Sequence, residues 1–139
     1  MDNLIFETPY WKIVLSYDQL YFGRCVVILK RACTALSEVT TKEMADFLEV
    51  VQKYESTFKR EYGAIMFNYS CLMNDAYQND PPDPQVHWHF RPRYDKPMVF
   101  EGIDFIDPNF GHHYDREHKR LLDKELEQKI VSALRIKFK

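Results

Sequence analysis

The stretch Gln85-Val86-His87-Trp88-His89-Phe90-Arg91-Pro92-Arg93-Tyr94 constrains this chain more than any other. Successive side chains of an extended strand point to opposite faces. That period puts Val86, Trp88 and Phe90 on one face and Gln85, His87, His89 and Arg91 on the other. A strand that buries the three large apolar residues holds two imidazoles, an amide and a guanidinium in a fixed row. Such a row suits an anion such as phosphate, because arginine offers a planar fork of donors and histidine can donate, accept or attack. Any chemistry of this chain is expected here.

The rest of the sequence supplies elements for that strand to join. Residues 11–16 read as a first strand, and Cys25-Val26-Val27-Ile28-Leu29 as its β-branched partner, with Gly23 permitting the turn of a hairpin. Lys30 and Arg31 are expected at a solvated strand end. Thr40 followed three residues later by Glu43 has the form of a capping box. Met44, Phe47, Leu48, Val51, Phe58 and Tyr62 then recur at mostly helical spacing, and Gly63 is placed to end the element. Residues 64–72 predict a third strand, antiparallel to the histidine strand. Between them, the prolines at 81, 82 and 84 predict a stiff surface loop. Beyond Tyr94, residues 98–101 and 103–105 are expected to be extended. Asp123 is a good N-cap for a final amphipathic helix through Leu126, Ile130 and Leu134.

With 139 residues, 45% of them hydrophobic, the chain has enough material for one folded domain, expected over residues 1–139. Its formal net charge of -2 gives no global basic field, so neither nucleic acid nor a membrane surface is an expected partner. Phosphate recognition must then be local. Three cysteines without paired spacing (Cys25, Cys33 and Cys71) fit reduced thiols better than a disulfide framework. The first ten residues lack a signal-peptide pattern, and no stretch approaches the roughly 20 apolar residues of a spanning helix. A soluble, cytoplasmic protein is expected.

In this order of elements, the strand motif resembles the histidine triad (HIT) superfamily, whose signature is His-x-His-x-His with apolar residues between, often followed by Pro-Arg. Anchored on Pro92-Arg93, Gln85 stands at the first histidine, His87 at the second and His89 at the third. The likeness extends upstream through the hairpin, the helix from Thr40 to Gly63, and Phe67-Asn68 to Asn74-Asp75. It covers about residues 10–94 and leaves 95–139 as a C-terminal extension. It implies an α+β fold, with an antiparallel sheet of about five strands, a long amphipathic helix packed on it and a C-terminal helix.

The resemblance also implies an enzyme: a nucleotide phosphohydrolase or nucleotidyl transferase, acting on dinucleoside polyphosphates or AMP conjugates. His87 would attack the α-phosphorus to form a covalent nucleotidyl-histidine, and His89 would contact the phosphate oxygens. In the family the main-chain carbonyl at the first triad position holds the nucleophile's other nitrogen, and Gln85 still supplies that carbonyl. Ser16 stands where the family places an Asp or Asn on the ribose hydroxyls, and Asn74 where it places a phosphate-binding amide. Arg91 comes from strand alternation, with distal phosphates as its expected contact. Ile5, Phe6 and Trp11 fit either a base pocket or the core. No resident cofactor is implied beyond a divalent cation carried with the nucleotide, and a homodimer is expected.

Two departures support an alternative, a HIT-like protein that binds nucleotide without catalysis. Gln85 replaces the first histidine. The loop before the triad, usually glycine-containing with a Gln-Ser or Gln-Thr pair, is here Asn79-Asp80-Pro81-Pro82-Asp83-Pro84. His87 and His89 with His112, His113 or a cysteine could ligate zinc, but a closed site needs four ligands and nothing in the sequence brings these together. No metal site is expected.

Overall fold

The computed structural model describes residues 2–139. Strands β1 (Leu4–Glu7), β2 (Trp11–Leu15), β3 (Cys25–Leu29), β5 (His87–Arg93) and β4 (Met66–Ser70) form, in that lateral order, one five-stranded sheet. Every pairing in it is antiparallel. Helix α1 (Thr41–Tyr62) lies between β3 and β4 in sequence, and α2 (Lys124–Lys137) closes the chain. Strands β6 (Met98–Phe100) and β7 (Ile103–Phe105) make a separate two-stranded ribbon. The α+β class, the long helix and the C-terminal helix are those the sequence predicts. The edge strand β1 is additional: four residues with a register shift against β2 carry too short an alternation to stand out.

The capping box forms as the sequence spells it. The Thr40 hydroxyl accepts from the Glu43 N–H at 3.1 Å, and the Glu43 carboxylate accepts from the Thr40 N–H at 2.9 Å. Gly63 ends the helix in the left-handed conformation, at φ 77°. The buried stripe of α1 is Phe47, Val50, Tyr54 and Phe58, whereas Met44 and Leu48, both expected inside, are exposed. Tyr54 belongs in the stripe because its hydroxyl donates to the Gly23 carbonyl at 2.6 Å, so the buried polar atom is satisfied. Lys30 and Arg31 are likewise engaged, ion-paired at 2.7 Å to Glu7 and Glu43 respectively.

The core lies between α1 and one sheet face. Phe47 packs 4.9 Å from Trp88 and Tyr54 packs 5.0 Å from Phe90, between ring centroids. Burying side chains of this size contributes about 1.5–3 kcal/mol each, which fixes the face that β5 turns inward. Helix α2 joins the same core through Ile130, Val131, Leu134 and Phe138. Phe6 and Phe138 stack at 4.7 Å, Ile5 is buried, and the indole of Trp11 donates to the Glu43 carbonyl at 2.9 Å. Ile5 and Trp11 are therefore core, and Phe6 packs partly buried against it.

The opposite sheet face is covered by the segment that follows β7. Arg93 is fully buried and uses all five guanidinium donors, four of them on that segment. It forks onto Asp107 at 2.6 and 3.0 Å and donates to the Asn109 carbonyl at 3.0 Å. Its remaining contacts are Asn68 Oδ1 at 2.8 Å and the His112 carbonyl at 2.9 Å. Further along, the Arg120 N–H donates to Asp18 at 3.0 Å and its carbonyl accepts from Gln19 at 2.8 Å. The C-terminal extension is thus a layer on the sheet. Among the described residues, no helix is long and apolar enough to cross a membrane.

Candidate active site

Strand β5 sorts its side chains as alternation requires. Trp88 and Phe90 face α1, while His89 and Arg91 line a cleft of about 620 Å³ on the other side. The floor of the cleft comes from neighbouring strands, with Val14, Val26 and Ile28, and Val26 pairs directly with His89. Tyr114 and Lys119 of the C-terminal layer contribute to the opposite wall. His87 stands beside His89, with ring centroids 5.1 Å apart and planes at 77°, outside the cleft lining.

Gln85 precedes the strand, and its side chain leaves the row. The amide Nε2 donates to the carbonyls of Leu29 and Arg31 at 2.9 and 2.8 Å, and Oε1 accepts from the Cys33 N–H at 3.0 Å. The side chain therefore ties the entry of β5 to the end of β3, while the main-chain carbonyl of Gln85 lies 2.7 Å from His87 Nδ1. A carbonyl only accepts, so Nδ1 carries a proton, and in the neutral ring the lone pair is then on Nε2. That tautomer is the one a nucleophilic imidazole needs.

His89 is set differently. Its Nδ1 lies 3.4 Å from Nη2 of Arg24. A guanidinium only donates, so Nδ1 is an acceptor and the proton sits on Nε2. Burial, then the charge of Arg24 and those of His87 and Arg91, push the His89 pKa down to about 4. The ring is neutral at pH 7, and the positive charge of the cleft resides on its arginines and lysine.

Arg91 is buried, donates to Ser70 Oγ at 3.3 Å and lies 3.8 Å over the Tyr114 ring. Burial, then repulsion from Arg24, lowers its pKa to about 10, which leaves it protonated at neutral pH. Ser16 is buried in the cleft wall, its Oγ accepting from the Asp18 N–H at 3.2 Å. Asn74 also lines the cleft, opening a short 3-10 turn with no capping bond from its side chain. The cleft thus brings Ser16, Asn74, His89 and Arg91 together.

Arg24, Asp18 and Tyr114 line the same cleft without having been singled out in the sequence. Arg24 immediately precedes β3, and only the β3–β5 pairing, which no local pattern announces, carries it to the histidine row. Tyr114 arrives with the C-terminal layer. His112, His113 and His118 are exposed, and among the described residues no group of three or more His, Cys, Asp or Glu is placed to hold a metal ion.

The model of the HIT domain family matches residues 1–96. No curated protein matches the sequence. Among solved structures, a histidine triad protein from Bradyrhizobium japonicum is 18% identical, with TM-score 0.67 over 98% of this chain and 90% of that one. A histidine triad protein from Sinorhizobium meliloti is 16% identical, with TM-score 0.70 over 95% of this chain and 86% of its own. A hypothetical histidine triad nucleotide-binding protein from Sulfolobus tokodaii is 15% identical, with TM-score 0.69 over 98% of this chain and 83% of that chain. At these identities the likeness is one of fold, and it takes in the C-terminal layer as well as the sheet.

Proposed function

The chain belongs to the HIT domain family, and from that premise we propose that it is a nucleotide phosphohydrolase or nucleotidyl transferase using His87 as nucleophile. The observation that carries this reading is the 2.7 Å contact between His87 Nδ1 and the Gln85 carbonyl. It leaves Nε2 free to attack the α-phosphorus. The N–P bond forms as the P–O or P–N bond to the leaving group breaks, and the leaving group departs with the displaced electron pair. Water or an acceptor then cleaves the N–P bond, releasing the nucleoside monophosphate or its transfer product and restoring the imidazole. Strand geometry holds the nucleophile in place, so the missing first imidazole costs the mechanism no backbone acceptor.

In this reading His89 donates from Nε2 to a phosphate oxygen as charge builds. Ser16 meets the ribose hydroxyls, Asn74 the phosphate, and Arg91 the distal phosphates once Tyr114 gives way. The Gln85 amide is committed to the backbone, so its role toward substrate runs through its carbonyl. The substrate is a dinucleoside polyphosphate or an AMP conjugate, with no resident cofactor and any divalent cation arriving on the phosphates. A homodimer and a cytoplasmic setting belong to the same reading; the three free cysteines support the latter.

A panel of dinucleoside polyphosphates and nucleoside phosphoramidates, screened in parallel with wild type and His87→Ala, tests the assignment. Turnover by wild type and its loss in the variant are expected; full activity in His87→Ala would remove His87 from the mechanism. A second reading, nucleotide binding without catalysis, is favoured by the cleft lining, which includes His89 but leaves His87 outside. AMP binding with no turnover across the panel would select it.

A further inference from the structure

Arg24 is held in the cleft in a way that leaves half of its guanidinium idle. Nη1 pairs with Asp18 at 2.7 Å, the two side chains being 15% and 6% exposed. Asp18 is itself pinned by the N–H groups of Leu20 and Arg120, each at 3.0 Å, so the arginine sits on a fixed post. Nη2 makes a long hydrogen bond to His89 Nδ1 at 3.4 Å with one of its two N–H groups, which leaves the second N–H to give. Nε is shielded from solvent and has no partner. Nε and Nη2 together form the side-on fork by which arginine grips a planar or tetrahedral oxyanion. A buried donor left idle is uncommon and costly, and calls for a functional account.

The surroundings favour an oxyanion as the group this fork serves. His89 is neutral at pH 7 and brings no charge of its own. Of the other guanidiniums of the lining, Arg91 is engaged with Ser70 and stacked on Tyr114, and Arg116 is exposed. The carboxylates of the lining are Asp18, Asp75 and Asp115. Asp18 is taken by Arg24, and Asp115 is taken by His118 Nδ1 at 2.7 Å. Lys119 donates to the Tyr17 hydroxyl at 3.0 Å, and the cation in contact with His89 that has donors to spare is Arg24.

We propose that Arg24 is a further phosphate-recognition residue of the cleft, supplying the charge beside His89 by gripping a nucleotide phosphate through Nε and Nη2 while holding His89 in the tautomer that donates from Nε2. This rests on the nucleotide-binding reading above. It makes Arg24 a specificity determinant for the charged part of the ligand, with the nucleoside bound by other residues.

Calorimetric titration of AMP and of adenosine into wild type, Arg24→Met and Arg24→Lys separates this role from a structural one. Arg24→Met is expected to weaken AMP by at least about tenfold, the loss of a charge-assisted pair, while adenosine changes by less than about twofold. Arg24→Lys keeps a charge beside Asp18 but has no fork, so it is expected to recover only part of the AMP affinity and none of the geometry. It also carries the test if the methionine variant fails to melt cooperatively, since AMP affinity equal to wild type in Arg24→Lys would overturn the fork. AMP and adenosine falling in parallel, or neither changing, would overturn the proposal alone. Wild type that binds neither ligand would overturn it together with the nucleotide-binding reading.

Discussion

His87 Nδ1 and the main-chain carbonyl oxygen of Gln85 lie 2.7 Å apart, two residues from each other along the chain. The contact needs nothing from the Gln85 side chain, which is bound to Leu29, Arg31 and Cys33. Gln85→Ala therefore separates the two functions. It is expected to keep turnover within a few-fold of wild type and to lose about 1–3 kcal/mol of stability, because three hydrogen bonds, two of them partly buried, disappear. Urea denaturation beside initial-rate measurements checks both halves. A large loss of rate with unchanged stability would reverse the assignment.

Arg93 is the tie between the sheet and the C-terminal layer. In Arg93→Met the Asp107 carboxylate, 1% exposed, is left without its cation. Breaking a buried pair from one side costs about 3–5 kcal/mol. The expected outcome is a lower melting temperature and faster proteolytic cleavage between residues 107 and 121, read by mass spectrometry of the fragments. A variant as stable and as resistant as wild type would show that the layer is held by other contacts.

Gly23 sits at φ 86°, and a Cβ built there would lie 2.0 Å from Cε1 of Phe58, a fully buried ring. Gly23→Ala combines left-handed strain with overpacking and is expected to cost about 2 kcal/mol or more. The same turn carries the carbonyl that Tyr54 caps at 2.6 Å. Tyr54→Phe, which removes the hydroxyl while keeping the ring in place, should cost less, about 1 kcal/mol. Equilibrium unfolding of the two variants side by side tests the order.

The depressed pKa of His89 has a sign in stability. Its ordinary value is 6.5 and its folded value is about 4. Between these pH values the unfolded chain binds a proton that the folded chain does not. The contribution of the neutral ring is thus complete above pH 6.5 and is lost as pH falls toward 4. Wild type should lose more stability between pH 7.5 and pH 5 than His89→Gln does, as read by urea midpoints at the two pH values. Equal losses would remove His89 from the acid response.

The period of two in residues 85–94 was sufficient to place Trp88 and Phe90 under the helix and His87, His89 and Arg91 away from it, because large apolar and polar residues alternate without exception. Thr40, Glu43 and Gly63 fixed the ends of α1 for an equally local reason. Alternation puts Gln85 in the polar row, but it lies before the strand, where a long amide can turn back to the neighbouring backbone. Arg24 and Arg93 were legible only as residue types. The partners of Arg93 lie 14 to 25 residues away, mostly in aperiodic segments, and Arg24 meets His89 across 65 residues through a strand pairing. Met44 and Leu48 misled because Tyr54, polar by count, is the better core residue once its hydroxyl is capped.

The most direct measurement of the central claim is capture of the covalent intermediate. Wild type mixed with a turned-over nucleotide labelled at the α-phosphate is stopped early in alkali, where a phosphoramidate survives, and the labelled peptide is sequenced. The account predicts label on His87, lost on acidification and absent from His87→Ala. Wild type that turns the substrate over while His87→Ala does so at the same rate, with no label on His87 in either, would contradict it.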